Sequence, residues 1–205
     1  MLSTTARGRR LAVVAGVAAG ALIVGLLLGR SLAPPDGDDA AGPGRARPPA
    51  TPSAHALPRG FVEFRDERAG FSITHPASWR RLEPRDSDVK LLAGRGTEAS
   101  LLVRAAPAGR APRPGVKQLT ARILRSGNGV RLIARPQQVR LGGVPGYAYL
   151  YTFTDAAGAR GAHLQYFLFH RHTLITVVLQ AMPARRLPHL APVFRKIAQS
   201  FLPRG

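Results

Sequence analysis

Ser72 and His75 stand three residues apart in the stretch GFSITHPASW, residues 70–79, and a serine beside a histidine is the raw material of nucleophilic catalysis. That chemistry needs the imidazole within hydrogen-bond reach of the hydroxyl. The stretch has the pattern of a strand, in which positions i and i+3 point to opposite faces, so the two cannot form a local dyad. Ser72 also lacks a nucleophile elbow, because Thr74 stands where G-x-S-x-G needs its second glycine and no helical pattern follows. A hydrolase is the least supported of the function classes.

General acid–base catalysis, glycoside hydrolysis and hard-cation binding all require carboxylates. From residue 99 onward the chain has one, Asp155, in an expected hairpin turn. Glu63, Asp66, Glu67, Glu83, Asp86, Asp88 and Glu98 fall mostly in turns among arginines, where solvated ion pairs are the expectation. Asp86-x-Asp88 is too short a fragment for a calcium loop. His170 and His172 would share a strand face if the strand continued, a geometry open to two zinc ligands, but His163 lies about a strand length away and no third ligand follows. Turn histidines at the surface are the simpler reading. The chain has no cysteine, which excludes disulfides, thiolate catalysis, Cys-ligated zinc and an acylated lipoprotein cysteine. No catalytic residue, cofactor or metal is therefore expected.

Charge is the strongest remaining signal. Thirty Lys+Arg against eleven Asp+Glu give +19, yet only Lys90, Lys117 and Lys196 are lysines. An arginine, alanine, glycine and proline excess of this kind follows from a GC-rich coding bias, with or without a polyanionic partner. Arg80, Arg81, Arg104, Arg110, Arg113, Arg122, Arg125, Arg185 and Arg186 are the candidates for a surface that binds an anionic polymer, lipid headgroups or a partner protein. No RNP or helix-turn-helix pattern points to nucleic acid.

The elements that would present these groups begin with a membrane address. LAVVAGVAAGALIVGLLLG, residues 11–29, is a run of nineteen residues without a charged or hydrogen-bonding side chain. As a helix it would be about 28 Å long, close to the ~30 Å hydrocarbon core. Arg7, Arg9 and Arg10 precede it and Asp36, Asp38 and Asp39 follow, which keeps residues 1–10 cytoplasmic and the rest of the chain outside the plasma membrane. The run is longer than a signal-peptide core, and the small-x-small site Ser31-Leu32-Ala33 is followed by Pro34, so an uncleaved signal anchor is favoured. Gly16, Gly20, Gly25 and Gly29 form two G-x-x-x-G pairs through which such helices could dimerise.

Residues 30–60 form a tether with seven prolines and few bulky apolar side chains, too little to offset ordering entropy. In polyproline geometry it would reach up to about 90 Å. The domain is expected over residues 61–205. Alternation predicts strands at 61–64, 71–75, 89–92 and 100–104, a helix around Val116, Leu119, Ile123 and Leu124, and then a meander: YAYLYTFT from Tyr147, HLQYFLFH from His163 and TLITVVLQ from Thr173. Leu187, Leu190, Phe194, Ile197 and Phe201 recur at spacings of three and four, predicting a final amphipathic helix whose regular part begins near Pro188. The order gives an α+β fold, an antiparallel sheet with helices packed against it.

Gly70-Phe71-Ser72-Ile73, Pro76 and Trp79, preceded by Phe64-x-Asp66, resemble the opening of the PsbP-like superfamily, which includes photosystem extrinsic proteins, DcrB-like envelope proteins and a Ran-binding import factor. Gly142-Gly143-Val144-Pro145-Gly146-Tyr147, leading into the meander and last helix, is similar to its second half. The resemblance covers residues 61–203 and implies a non-catalytic binding or assembly domain. No member's site residues transfer, and the missing cysteine departs from its lipoprotein members. The expected function is a membrane-anchored extracytoplasmic domain contacting another envelope protein, the alternative an arginine-rich module for an anionic wall polymer or lipid headgroups.

Overall fold

Side-chain alternation decides how this domain is layered. The structure, a computed structural model, describes residues 57–108 and 113–204. The expected membrane span with its four glycines, nearly all of the tether and Arg110 lie outside the described residues. Among the described residues no helix is long and apolar enough to cross a membrane.

In chain order the elements are β1 (Phe61–Asp66), β2 (Phe71–Pro76), β3 (Arg80–Arg81), β4 (Val89–Arg95), β5 (Ala99–Pro107), α1 (Val116–Leu124), β6 (Asn128–Leu132), β7 (Gln137–Leu141), β8 (Val144–Thr154), β9 (Arg160–His170), β10 (Thr173–Ala181), α2 (Leu187–Gln199) and β11 (Leu202–Pro203). The larger sheet runs β3-β4-β5-β10-β9-β8-β6, and β7 pairs with β8 beside β6. Where one antiparallel sheet was expected there are two, because β1, β2 and the short β11 form a second, three-stranded one. All the pairings are antiparallel. The α+β class stands, with a helix on each face of the larger sheet.

One face of that sheet carries Leu101, Val103, Leu164, Leu168, Val177 and Leu179, each at most 1 % exposed. Against it α2 lays Leu187, Leu190, Phe194 and Ile197, joined by Phe71 and Ile73 of β2, Trp79 and Phe201. Trp79 meets Phe194 edge-on with ring centroids 6.5 Å apart, and Phe201 stacks on Phe71 at 5.8 Å. The other face is covered over β8 and β9 by α1, where Leu119 and Ile123 pack on Tyr149, Tyr151, Phe167 and Phe169.

Helix α2 starts at Leu187, one residue before the expected Pro188, and continues through Pro192 in its second turn. That proline removes the donor for the Pro188 carbonyl, and exposure of both residues leaves this carbonyl to water. A buried proline there would have broken the helix.

Candidate functional site

Ser72 and His75 are buried at 1 % and 6 % exposure on β2, the middle strand of the small sheet, which β11 pairs with at Phe71 and Ser72. Arg204 donates to Ser72 Oγ from Nε at 3.2 Å and from Nη2 at 3.1 Å, and its Nη2 also donates to Glu63 Oε1 at 2.8 Å. Arg65, together with Ser72 and Arg204, holds the Glu63 carboxyl below its ordinary range. The imidazole of His75 sits 3.0 Å from the Pro76 carbonyl oxygen through Nδ1. The two side chains have separate partners, as strand alternation requires.

The histidine pair also divides. His170 ends β9, whereas His172 follows Arg171, whose φ of 53° reverses the chain, so the strand does not continue through them. Asp155 Oδ1 accepts from the Ala157 and Ala159 amides at 2.9 and 2.8 Å, which makes it a turn residue. Among the described residues no three His, Cys, Asp or Glu side chains gather as metal ligands would.

The candidate arginines fall into separate neighbourhoods. Arg80 and Arg81 lie on the edge strand β3, opposite Gly94 and Ala93, with the Arg81 guanidinium 4.9 Å from the centre of the Phe64 ring. Arg104 is paired with Asp86 at 2.6 Å. Arg122 and Arg125 are exposed at the end of α1. Arg185 and Arg186 precede α2 and, with Arg95 and His189, line a shallow hollow of about 500 Å³. Glu98 bridges Arg95 and Arg186 there, at 3.1 and 2.7 Å.

Of the described candidates Arg113 alone enters a groove of about 470 Å³ around β7. All five β7 residues line it, so it follows the strand's open edge instead of one face. On the α1 side are Arg113, Pro114, Gly115, Tyr147 and Phe169; on the α2 side are Tyr166, Arg195, Ala198 and Gln199. The Arg113 guanidinium lies 5.9 Å from the Phe169 ring centre, and Arg140 Nη1 donates to the Gly143 carbonyl at 3.1 Å. Burial pushes the Tyr166 phenol up, with Arg195 acting against it, so this wall stays a neutral donor at ordinary pH. None of the lining residues is acidic. Such a wall holds anions over aromatic surface, and nothing in it supplies a nucleophile with a base.

Arg140, Arg195 and the whole of β7 were missed in the sequence. A signal was there: QQVRL and VPGYAY flank Gly142-Gly143, and two glycines between alternating runs mark a tight hairpin. The register Leu141↔Val144 confirms a two-residue turn, with φ of 55° and 80° at the glycines.

A buried polar row lies beneath α1. His163 Nδ1 is 3.0 Å from the Tyr151 hydroxyl, His163 Nε2 is 2.9 Å from Gln180 Oε1, and Tyr151 donates to Gln165 Oε1 at 2.7 Å. A neutral imidazole donating to Gln180 leaves Nδ1 competing with Gln165 for one phenolic proton, unless the Gln165 amide turns to donate. A charged imidazole satisfies all three, but burial lowers the His163 pKa and outweighs that gain. Burial also pushes the Tyr151 phenol up to about 12.

Because His163 is depressed in the folded state, its contribution to stability is full above the unfolded value near ~6.5 and is lost as pH falls through the lower folded value. The Tm of the wild type should therefore drop more steeply below pH ~6.5 than that of His163→Gln. Parallel Tm–pH curves would remove His163 as the cause.

No family model matches this sequence, and no curated protein matches it. In architecture the chain is similar to cyanobacterial PsbP from Synechocystis, with 15 % identity, a TM-score of 0.60 and 76 % of this chain covering 99 % of that one. It is similar also to LpqN of Mycobacterium tuberculosis, at 11 % identity and a TM-score of 0.50, over 71 % of this chain and 92 % of that one. At such identities what is shared is the fold, and the domain built on β1 to β11 has the PsbP-like fold.

Proposed function

We infer that this chain is a membrane-anchored extracytoplasmic domain that binds another envelope protein through the β7 groove and catalyses no reaction. The observation that carries the reading is the groove itself, with Arg113, Arg140 and Arg195 around aromatic walls and no acidic residue among its lining. Aromatic pockets rimmed by arginine are typical of protein recognition. The apolar run at 11–29 supplies the anchor and residues 30–60 the reach. LpqN, similar in fold, is described as involved in cell envelope biogenesis, which is the compartment this reading gives the chain. Dimerisation through Gly16, Gly20, Gly25 and Gly29 would present two such grooves side by side.

The test is a photo-cross-linking residue in place of Gln138, which is exposed on β7, in the full-length chain in native membranes. One dominant adduct is expected, and it should weaken severalfold in Arg113→Ala/Arg140→Ala. Failure to recover any specific adduct would overturn the reading.

The hollow beside the start of α2 favours a second reading. Arg95, Arg185, Arg186 and His189 crowd the positive end of a helix that has no acidic residue in its first turn. Excess positive charge there suits an anionic wall polymer or lipid headgroups. Vesicles with anionic lipid should then retain the chain more strongly at low salt than Arg185→Ala/Arg186→Ala, beyond the retention due to the anchor. Equal retention would dismiss it.

A further inference from the structure

The open edge of β7 specifies how a partner would bind, on the reading just proposed. Leu141 and Val144 flank a two-residue turn whose glycines both have positive φ, so they form a hydrogen-bonded pair. Alternation then directs the main-chain groups of Gln137, Val139 and Leu141 toward β8 and those of Gln138 and Arg140 away from it. Among the described residues no strand pairs with that outer edge. The side chains alternate too: Val139 and Leu141 pack on the α2-side core, while Gln138 and Arg140 are exposed on the face of Tyr147.

We propose that an extended acidic segment of a partner protein adds to β7 as a further antiparallel or parallel strand, with carboxylates on its Tyr147 side meeting Arg113 and Arg140. The main-chain bonds to Gln138 and Arg140 give affinity, and the arginines select the acidic side chains. The five residues of β7 span about 17 Å, enough for four or five residues of an added strand. A purely apolar strand would bring no carboxylate to Arg113 and Arg140. A folded acidic surface would leave the outward main-chain groups of Gln138 and Arg140 without strand partners.

The probe is a blocked hexapeptide of glutamates and valines, with a second version methylated on alternate peptide nitrogens, titrated against the full-length chain in detergent. The unmodified peptide should bind, and Arg113→Ala/Arg140→Ala should weaken it about tenfold. Gln138→Pro, which removes an outward donor from an edge strand, should weaken it comparably while leaving the β8 ladder intact. Arg122→Ala, exposed on α1, should change nothing. If Gln138→Pro does not fold, the methylated peptide makes the same test from the other side.

Equal binding of the two peptides would overturn strand addition and leave only an electrostatic surface. Binding that appears only once Asp36, Asp38 and Asp39 are changed to Asn would overturn it differently, giving the edge to the chain's own tether. A cross-linked envelope partner that covers the groove walls but leaves the Gln138 and Arg140 amides exchanging as in the free chain would refute this inference while sparing the broader reading.

Discussion

Phe194→Ala should destabilise the domain by about 3–5 kcal/mol, the cost of removing a buried aromatic ring and leaving a cavity. The ring is fully buried and is the point where α2, the larger sheet and Trp79 meet. Two effects add: the lost transfer free energy of the ring, and the lost edge-on contact with Trp79, worth about 0.5–1.5 kcal/mol beyond area. Collapse of the surroundings cannot refill the space easily, because its walls are two sheets and a helix held by separate hydrogen-bond ladders. The Tm should fall by roughly 10–20 °C, whereas Phe194→Leu, closer in volume, should cost under about half as much. A fall of only a few degrees for the alanine variant would mean that α2 is not the element closing the core.

The same residue shows how the sequence carried the fold. Phe194 belongs to a run spaced three and four apart, and such periodicity needs no knowledge of the rest of the chain. The long strands β8, β9 and β10 were legible for the same reason, as was the turn at Gly158, whose φ is 81°. What was illegible depended on distant partners. Ser72 looks like an ordinary strand residue until the last four described residues supply β11 and Arg204 to cover it. Strand β3 is two arginines, and nothing local marks two arginines as sheet.

The site was less legible than the fold. Nine arginines were candidates because charge is visible in composition, but position on a surface is not. Arg104 is neutralised by Asp86 from a turn eighteen residues earlier, and Arg186 shares Glu98 with Arg95. Arg113 matters because α1 delivers it beside Phe169, and Arg195 because α2 places it against Tyr166. Each juxtaposition joins segments far apart in the chain. Only the Gly142-Gly143 hairpin, which makes the edge on which they converge, had a local signature.

That hairpin gives the second large effect, because Gly142 joins the groove to the small sheet. Its φ of 55° is one that an L side chain adopts at a cost of about 1–2 kcal/mol, and a Cβ there would meet the Phe201 carbonyl oxygen, with Pro203 Cδ at 2.8 Å and Leu202 Cα at 3.1 Å. Two of those atoms are backbone and the third belongs to a proline ring, so none of them swings aside freely. Gly143 has φ of 80° but nothing within 4 Å of its virtual Cβ. Gly143→Ala should therefore cost only the backbone penalty, while Gly142→Ala adds displacement of β11 for a total of about 2–4 kcal/mol. Denaturant unfolding of the two variants isolates the contact by difference. Displacing β11 also releases Arg204 from Ser72 and Glu63, and twisting the turn moves Arg140 and the open edge of β7. Gly142→Ala should accordingly lose partner cross-linking at Gln138 under conditions where it is still folded, and Gly143→Ala should keep it. If the two alanine variants are equally stable and equally competent, the hairpin is not seated on β11, and the edge of β7 is not held in place by the chain's last strand.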